Sequence, residues 1–299
     1  MTNRLGPRLA DGSPSGELQT VASLRKDLVL YHYTSLSALD AILRNKFVWA
    51  SHVLFTNDRQ EVKHAVDLVR EILTIRLRDS TNSVEGAKLE RLSAGVDKAL
   101  NSVLGSDMYI FCMSMDGDLL SQWRAYCPSE GGYALGFRYG DLEKCLDKQS
   151  IEVWPCVYDP QTQRKILSDS VDQLLNEFKD AAEEKQESMT LGFFEGNVHG
   201  CALSFKHPSF SEEQEWRALT VPWANLNPQY RVSRNIAVPS LALQLAIDNS
   251  LPLHQIIVGP NKHQELAMKG IKHLLNVNGF NRENSEQIVV PSKIPYRLL

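Results

Sequence analysis

The chain has 299 residues, of which 43% are hydrophobic and 23% charged, with a formal charge of −4. That balance excludes a low-hydrophobicity disordered chain and supplies core for one large domain or two small ones. It also argues against a surface coated in phosphate-binding charge, although a local basic groove is compatible with it. Five cysteines without a C-x-x-C pair point to buried thiols in a reducing compartment rather than to a disulfide framework. The eight histidines do not cluster with them, so no zinc site is expected.

Residues 1–22, rich in Gly, Pro and Ser, read as a mobile arm without a signal-peptide core. The rest, 23–299, reads as one α+β domain. "DLVLYHY" is a strand, after which Thr34 or Ser35 caps a helix with Leu36, Leu39, Ile42 and Leu43 on one face. "FVWAS" is a second strand. Asn57 and Asp58 then introduce a long helix carrying Val62, Ala65, Val66, Val69, Ile72 and Leu73 at helical spacing. A more polar helix follows over about residues 84–104.

"DMYIFCMS" is a strand, and "MDGDLLSQWRAYC" a turn and a short helix. "GGYALGFRYG" is a strand bounded by glycines. "IEVWPCVY" is another, with Pro155 marking an edge or bulge. Residues 161–190 form a charged helix, a helical insertion covering the sheet, with Ile166, Leu167, Val171, Leu174, Leu175 and Phe178 inward. "SFSEEQEWRALTVPW" is a strand, "HQIIVGPNKHQELAMKGIKHLLNVNGF" a strand, a Gly-Pro turn and an amphipathic helix, and "EQIVVPSKIPYRLL" a strand with an extended tail. The strands lack a regular βαβ rhythm. The expected fold is therefore α+β, with a mixed, mostly antiparallel sheet flanked by helices. No run of ~18 apolar residues spans a membrane, and the default location is cytoplasmic.

G-x-G-x-x-G, the P-loop, H-E-x-x-H and G-x-S-x-G are all absent. Gly259-Pro260-Asn261-Lys262 is read as an ordinary strand–turn–helix corner. Three places instead concentrate polar groups. In "YHYT", His32 and Thr34 point one way and Tyr31 and Tyr33 the other. The pair could grip an amide or a ribose hydroxyl, or could be a core histidine beside a cap. In "FCMSMDGDLLSQWRAYC", Ser114 ends a strand, and Trp123 and Tyr126 share a helix face at i, i+3. They could stack on a planar ring or pin the helix to the core. In "EEQEWR", read as a strand, Glu213, Glu215 and Arg217 share a face. Crowded carboxylates perturb one another or recruit a cation, while a plain edge ion pair between Glu215 and Arg217 is the structural alternative.

The order of these groups resembles the ADP-ribosyltransferase fold: an early His, then hydroxyl and aromatic groups after a middle strand, then a late Glu. The segments "LYHYTSLSALDAILRNKFVWAS…FTNDRQE", "FCMS…LLSQWRAYC…GGYALGF", "EEQEWRAL" and "IIVGP…VPSKIPYR" resemble the family of unknown function DUF2971 from about residue 28 onward.

The transferase resemblance implies NAD as substrate. On it, His32 and Thr34, flanked by Tyr33, would orient amide and ribose. Tyr126, with Trp123 as partner, would stack on nicotinamide, and Ser114 would bond the amide. Glu215, or Glu213 two residues earlier, would bond the ribose 2′-hydroxyl and stabilise the developing cation. Tyr33 stands where the early His motif in the polymerase-type branch of that fold has Gly. The acceptor would be protein, nucleic acid or water, giving a transferase or an NAD glycohydrolase, in the setting of a bacterial toxin or phage-defence effector.

Two other readings are a non-catalytic nucleotide-binding module, and a metal-dependent nucleic-acid-processing enzyme using Glu213, Glu215 and Asp58. Arg297 is expected to lock the tail or to bind phosphate.

Overall fold

The computed structural model describes residues 26–56, 59–81, 83–105, 107–127, 131–179, 181–220, 227–233 and 235–295. The expected arm over 1–22, the Asn57–Asp58 cap, and Arg297 lie outside them.

The architecture is α+β, built on a mostly antiparallel open sheet flanked by helices. β1 (Val29–Thr34) leads into α1 (Leu36–Asn45), whose N-cap is Ser35 rather than Thr34: its side chain accepts from the amide of Ala38. The helix stops at Lys46, which sits at φ 58°. β2 (Phe47–His52) precedes the long α2 (Arg59–Asp79) and α3 (Ser83–Gly105). β3 (Tyr109–Ser114), α4 (Leu120–Tyr126) and β4 (Tyr133–Arg138) follow, as the apolar patterns require.

Several elements depart from the sequence pattern. α5 (Tyr139–Asp147) has no capping side chain at its start. Its first amides are bound instead by the carbonyls of Leu28 and Lys26, partners far away in the chain. The segment after β5 (Glu152–Pro155) is not one helix but two, α6 (Pro160–Glu177) and α7 (Glu183–Phe193). The buried Gln186 amide fixes the corner by donating to the carbonyls of Phe178 and Ala181.

A π-turn leads into α8 (His199–Ser204), and a 3₁₀ turn (Pro208–Glu213) precedes β6 (Glu215–Thr220). The strand expected from Ser209 onward thus starts only at Glu215. β7 (Gln229–Ser233) and β8 (Ile236–Gln244) form a hairpin, although Pro239 inside β8 reads against a strand. Pro239 faces only β7, and pairing with β2 begins one residue later, at Ser240. β9 (Leu253–Val258), α9 (Gln264–Val277), α10 (Arg282–Ile288) and β10 (Val289–Pro291) complete the chain.

The sheet runs β10-β9-β4-β1-β3-β2-β8-β7, with β6 added to β3 and β5 added to β6. Among the strands of the described residues, only β10 and β9 pair in parallel. The important irregularity is at β3. On one edge it pairs with β6 from Tyr109 to Ser114. Otherwise it meets β2 at Tyr109 and Ile110, and β1 at Ser114 alone. β1 instead pairs along its whole length with β4. The sheet therefore forks beside Cys112.

One apolar cluster joins α2, α3, α6, α7 and α8 to Ile110 and Leu219. A second packs α1, α5 and α9 against Leu30, Phe111, Phe137 and Leu243. These two layers hold the fork in place from both faces of the sheet.

Candidate functional site

A pocket with about 380 Å³ of empty space, including its open mouth, lies at the fork. Its walls come from β1, β3, α4, and the turn leading into β6.

His32 occupies the gap itself. Its Nδ1 is 3.0 Å from the carbonyl oxygen of Cys112, the residue of β3 between the β1 and β2 contacts. A carbonyl only accepts, so Nδ1 carries the proton and Nε2 is left as a bare acceptor. Burial lowers the imidazole pKa to about 4; the Cys112 bond opposes this and the charge of Arg231 adds to it. The ring is thus neutral, and rests tilted at 4.6 Å on Phe111.

The two tyrosines of β1 are spent on structure. The Tyr31 hydroxyl donates to Gln255, and its ring lies where a Cβ on Gly136 would come within 2.8 Å. The Tyr33 hydroxyl donates to the Asp116 carbonyl at 2.8 Å and accepts the Leu119 amide at 2.9 Å. It clamps the turn that launches α4, a helix with no capping side chain of its own.

On α4 the working face is not the expected one. Trp123 is 4% exposed, donates its Nε1–H to Asp118 at 2.9 Å, and meets Tyr33 edge-on at 4.6 Å. It does not line the pocket, so the expected stacking partnership with Tyr126 is corrected to a structural anchor. Gln122 and Tyr126, at i, i+4, face the pocket instead. Gln122 is 7% exposed, and its amide has no protein partner among the described residues. Tyr126 is half exposed; burial and the neighbouring Cys112, Glu213 and Glu215 keep its hydroxyl protonated by raising its pKa.

Opposite α4 lies a buried ion cluster. Arg217 donates from Nε to Glu215 Oε1 at 2.9 Å, from Nη2 to Oε2 at 3.1 Å, and from Nη1 to the Leu203 carbonyl. Lys206 donates to Glu215 Oε2 and, at 2.5 Å, to Glu213 Oε2. Burial alone would raise the Glu215 pKa, but Arg217 and Lys206 outweigh it and bring it down to about 2. Both Glu215 oxygens are engaged.

Glu213 reaches the same cluster from the 3₁₀ turn, because Gln214 at φ 43° folds the chain back on itself. Its Oε1 has no protein partner among the described residues, and its side chain is 15% exposed. The Ser114 hydroxyl donates to the Glu213 carbonyl at 2.7 Å and accepts the Asp116 amide at 3.1 Å. That hydroxyl holds the wall and is not free for a ligand amide.

Of the residues expected from sequence, the fold brings His32, Tyr33, Ser114, Tyr126, Glu213 and Glu215 to one pocket. Thr34 and Trp123 are not on it; Thr34 is buried, and its carbonyl accepts the Cys127 thiol. Gln122 and Lys206 escaped the sequence reading. The i, i+4 spacing of Gln122 and Tyr126 was the available signal for the first. Nothing local marked Lys206.

The arrangement gathers a bare imidazole acceptor, a carboxamide without a protein partner, a phenol and a half-free carboxylate around one pocket. Residues 122–218, which contain most of α4 and the ion cluster, match the model of the protein family of unknown function DUF2971. No curated protein and no solved structure matches the chain. Among the described residues no helix is long and apolar enough to cross a membrane.

Proposed function

We propose that the chain is an NAD-consuming enzyme of the ADP-ribosyltransferase type. One observation carries the reading: His32, Tyr126 and the Glu213–Glu215 pair, distant in sequence, surround a single pocket at the fork. In this reading the ligand carboxamide donates to His32 Nε2 and bonds Gln122, and the pyridine ring lies against Tyr126. The C1′–N1 bond of the nicotinamide riboside breaks with its electron pair leaving on nicotinamide. Positive charge develops at C1′, and an acceptor hydroxyl or water adds there and releases its proton. Glu213, with a free oxygen, is the carboxylate placed to accept a hydroxyl proton and to stabilise that charge. Glu215 acts through Lys206 and Arg217 as a positioning residue. The acceptor is a macromolecule or water, and a cytoplasmic toxin or phage-defence effector is the biological setting in this proposal.

The saturation of Glu215 favours a second reading, a nucleotide-binding module that does not cleave its ligand. A metal-dependent reading would require both carboxylates to open toward a cation, and Lys206 already bridges them.

Incubation of the pure protein with NAD separates the first two readings. Release of nicotinamide that Glu213→Gln abolishes with folding intact supports cleavage. NAD binding without release supports the module, and neither release nor labelling of a lysate by tagged NAD overturns the enzyme reading.

A further inference from the structure

Beyond the fork, the face of the sheet that carries the pocket continues onto the β2-β8-β7 wing. Ser51 lies opposite Ile110, which shares a face of β3 with Cys112 and Ser114. Phe47 and Trp49 alternate with the buried Val48 and Ala50, and so lie on the Ser51 face, half-buried and edge-to-face at 4.9 Å. Arg231, on the edge strand β7, reaches across this surface. Its guanidinium lies 5.7 Å from the Trp49 ring centre. Nε donates to Ser240 at 3.0 Å and Nη2 to Ser51 at 2.7 Å.

Those hydroxyls fix the plane of the guanidinium without neutralising it. Arg217 and Lys206, by contrast, are both paired with carboxylates. Among the described residues no carboxylate pairs with Arg231, although burial penalises its charge enough to lower its pKa. A half-buried, oriented and uncompensated guanidinium is the arrangement that binds phosphate oxygens.

We propose that Arg231, seated on Trp49 and oriented by Ser51 and Ser240, is an anion subsite for the diphosphate of a small nucleotide whose ring enters the pocket at the fork. The proposal rests on the reading of that pocket as a nucleotide site. Even with its open mouth included, the pocket's about 380 Å³ of empty space is too small for a whole dinucleotide. The remainder must lie outside, and Arg231 is close enough for its charge to oppose protonation of His32.

The test is calorimetric titration of the full chain with ADP, inorganic pyrophosphate and nicotinamide. Arg231→Met is expected to weaken ADP and pyrophosphate at least tenfold and leave nicotinamide unchanged. Arg231→Lys should recover part of the loss. Ser51→Ala, which keeps the charge but frees its orientation, should give a smaller loss, and tests the proposal if Arg231→Met fails to fold. Wild-type protein that binds neither ADP nor pyrophosphate overturns the inference, as does unchanged affinity in Arg231→Met. Arg231-dependent ADP binding in a protein that releases no nicotinamide from NAD leaves the subsite standing and removes the enzyme reading. NAD cleavage with an unchanged KM in Arg231→Met does the reverse.

Discussion

The Nδ1 of His32 stands 3.0 Å from the carbonyl oxygen of Cys112 and joins β1 to β3 where no strand pairing does. Sheet ladders satisfy main-chain groups automatically, but a fork leaves some without partners. A side-chain donor in the gap supplies the missing bond and, in doing so, sets the tautomer that faces the pocket.

Replacing His32 with Leu leaves that carbonyl without its donor and is expected to lower stability by about 1–3 kcal/mol. Urea unfolding measures it. Nitrogen NMR of the wild-type ring should show the proton on Nδ1, and a proton on Nε2 at neutral pH would contradict the assignment.

The pH dependence has two windows. His32 has a folded pKa of about 4 against an ordinary 6.5, so folding favours the neutral ring. Its contribution is complete above 6.5 and declines as the pH falls toward 4. Glu215 has a folded pKa of about 2 against 4.5, so folding favours its ionised form, and its contribution declines from 4.5 toward 2. Denaturation midpoints followed from pH 8 to 3 should therefore fall in both windows. His32→Gln, which keeps a donor but does not titrate, should flatten the upper one only.

Arg217 is 1% exposed and satisfies both oxygens of Glu215. Arg217→Met leaves Oε1 of a buried carboxylate without its partner and Lys206 alone on Oε2, and is expected to cost about 3 kcal/mol. Glu213→Gln keeps an amide oxygen to accept from Lys206, which also stays bound to Glu215, and should cost less, about 1–2 kcal/mol. Guanidinium melts of the two variants rank them, and equal losses would contradict the division of labour between the carboxylates.

On α4 the neighbours Gln122 and Trp123 should separate function from stability. Trp123→Ala removes a buried ring and is expected to cost about 3–5 kcal/mol. Gln122→Ala removes an amide without a protein partner, so stability should hold within about 0.5 kcal/mol. In the NAD reading, nicotinamide affinity should fall in Gln122→Ala, as titration would show.

Asp118 binds the C-terminal segment to the same helix. Its Oδ1 accepts from Trp123 Nε1 and from the Ser292 hydroxyl, and its Oδ2 accepts the Lys293 amide at 2.7 Å. Asp118→Ala should speed hydrogen exchange at Lys293 while leaving the β4 ladder protected. Unchanged exchange at Lys293 would show that the bond does not hold the segment.

The strands and long helices were legible wherever their own side chains carried the signal: the short apolar run "FVWAS", the helical spacing from Ala65 to Leu73, and a hydroxyl at Thr34 or Ser35 to cap α1. α5 was not legible, because its amides are bound by Leu28 and Lys26 from elsewhere in the chain. The β7–β8 hairpin was not legible because Pro239 contradicts the local pattern and only the choice of neighbouring strand makes it harmless. At the site, the sequence marked His32, Tyr126 and both glutamates as polar groups at element ends. It added Trp123 to Tyr126 on the working face of α4, where Gln122 stands instead; i, i+3 and i, i+4 neighbours lie one residue's arc apart, and packing against Gly259 and Tyr33 decides between them.

By itself, then, the sequence determined a mostly antiparallel α+β chain with a histidine at the end of its first strand, because periodicity and capping are local properties. Only the tertiary structure decided that the sheet forks beside Cys112. Pairing is a competition among distant strands, and β4 holds β1 along its length while β6 holds β3. Only the tertiary structure decided the fates of the two glutamates. Lys206 and Arg217 converge on Glu215 through contacts that no spacing encodes, and the left-handed turn at Gln214 leaves one oxygen of Glu213 open to the pocket.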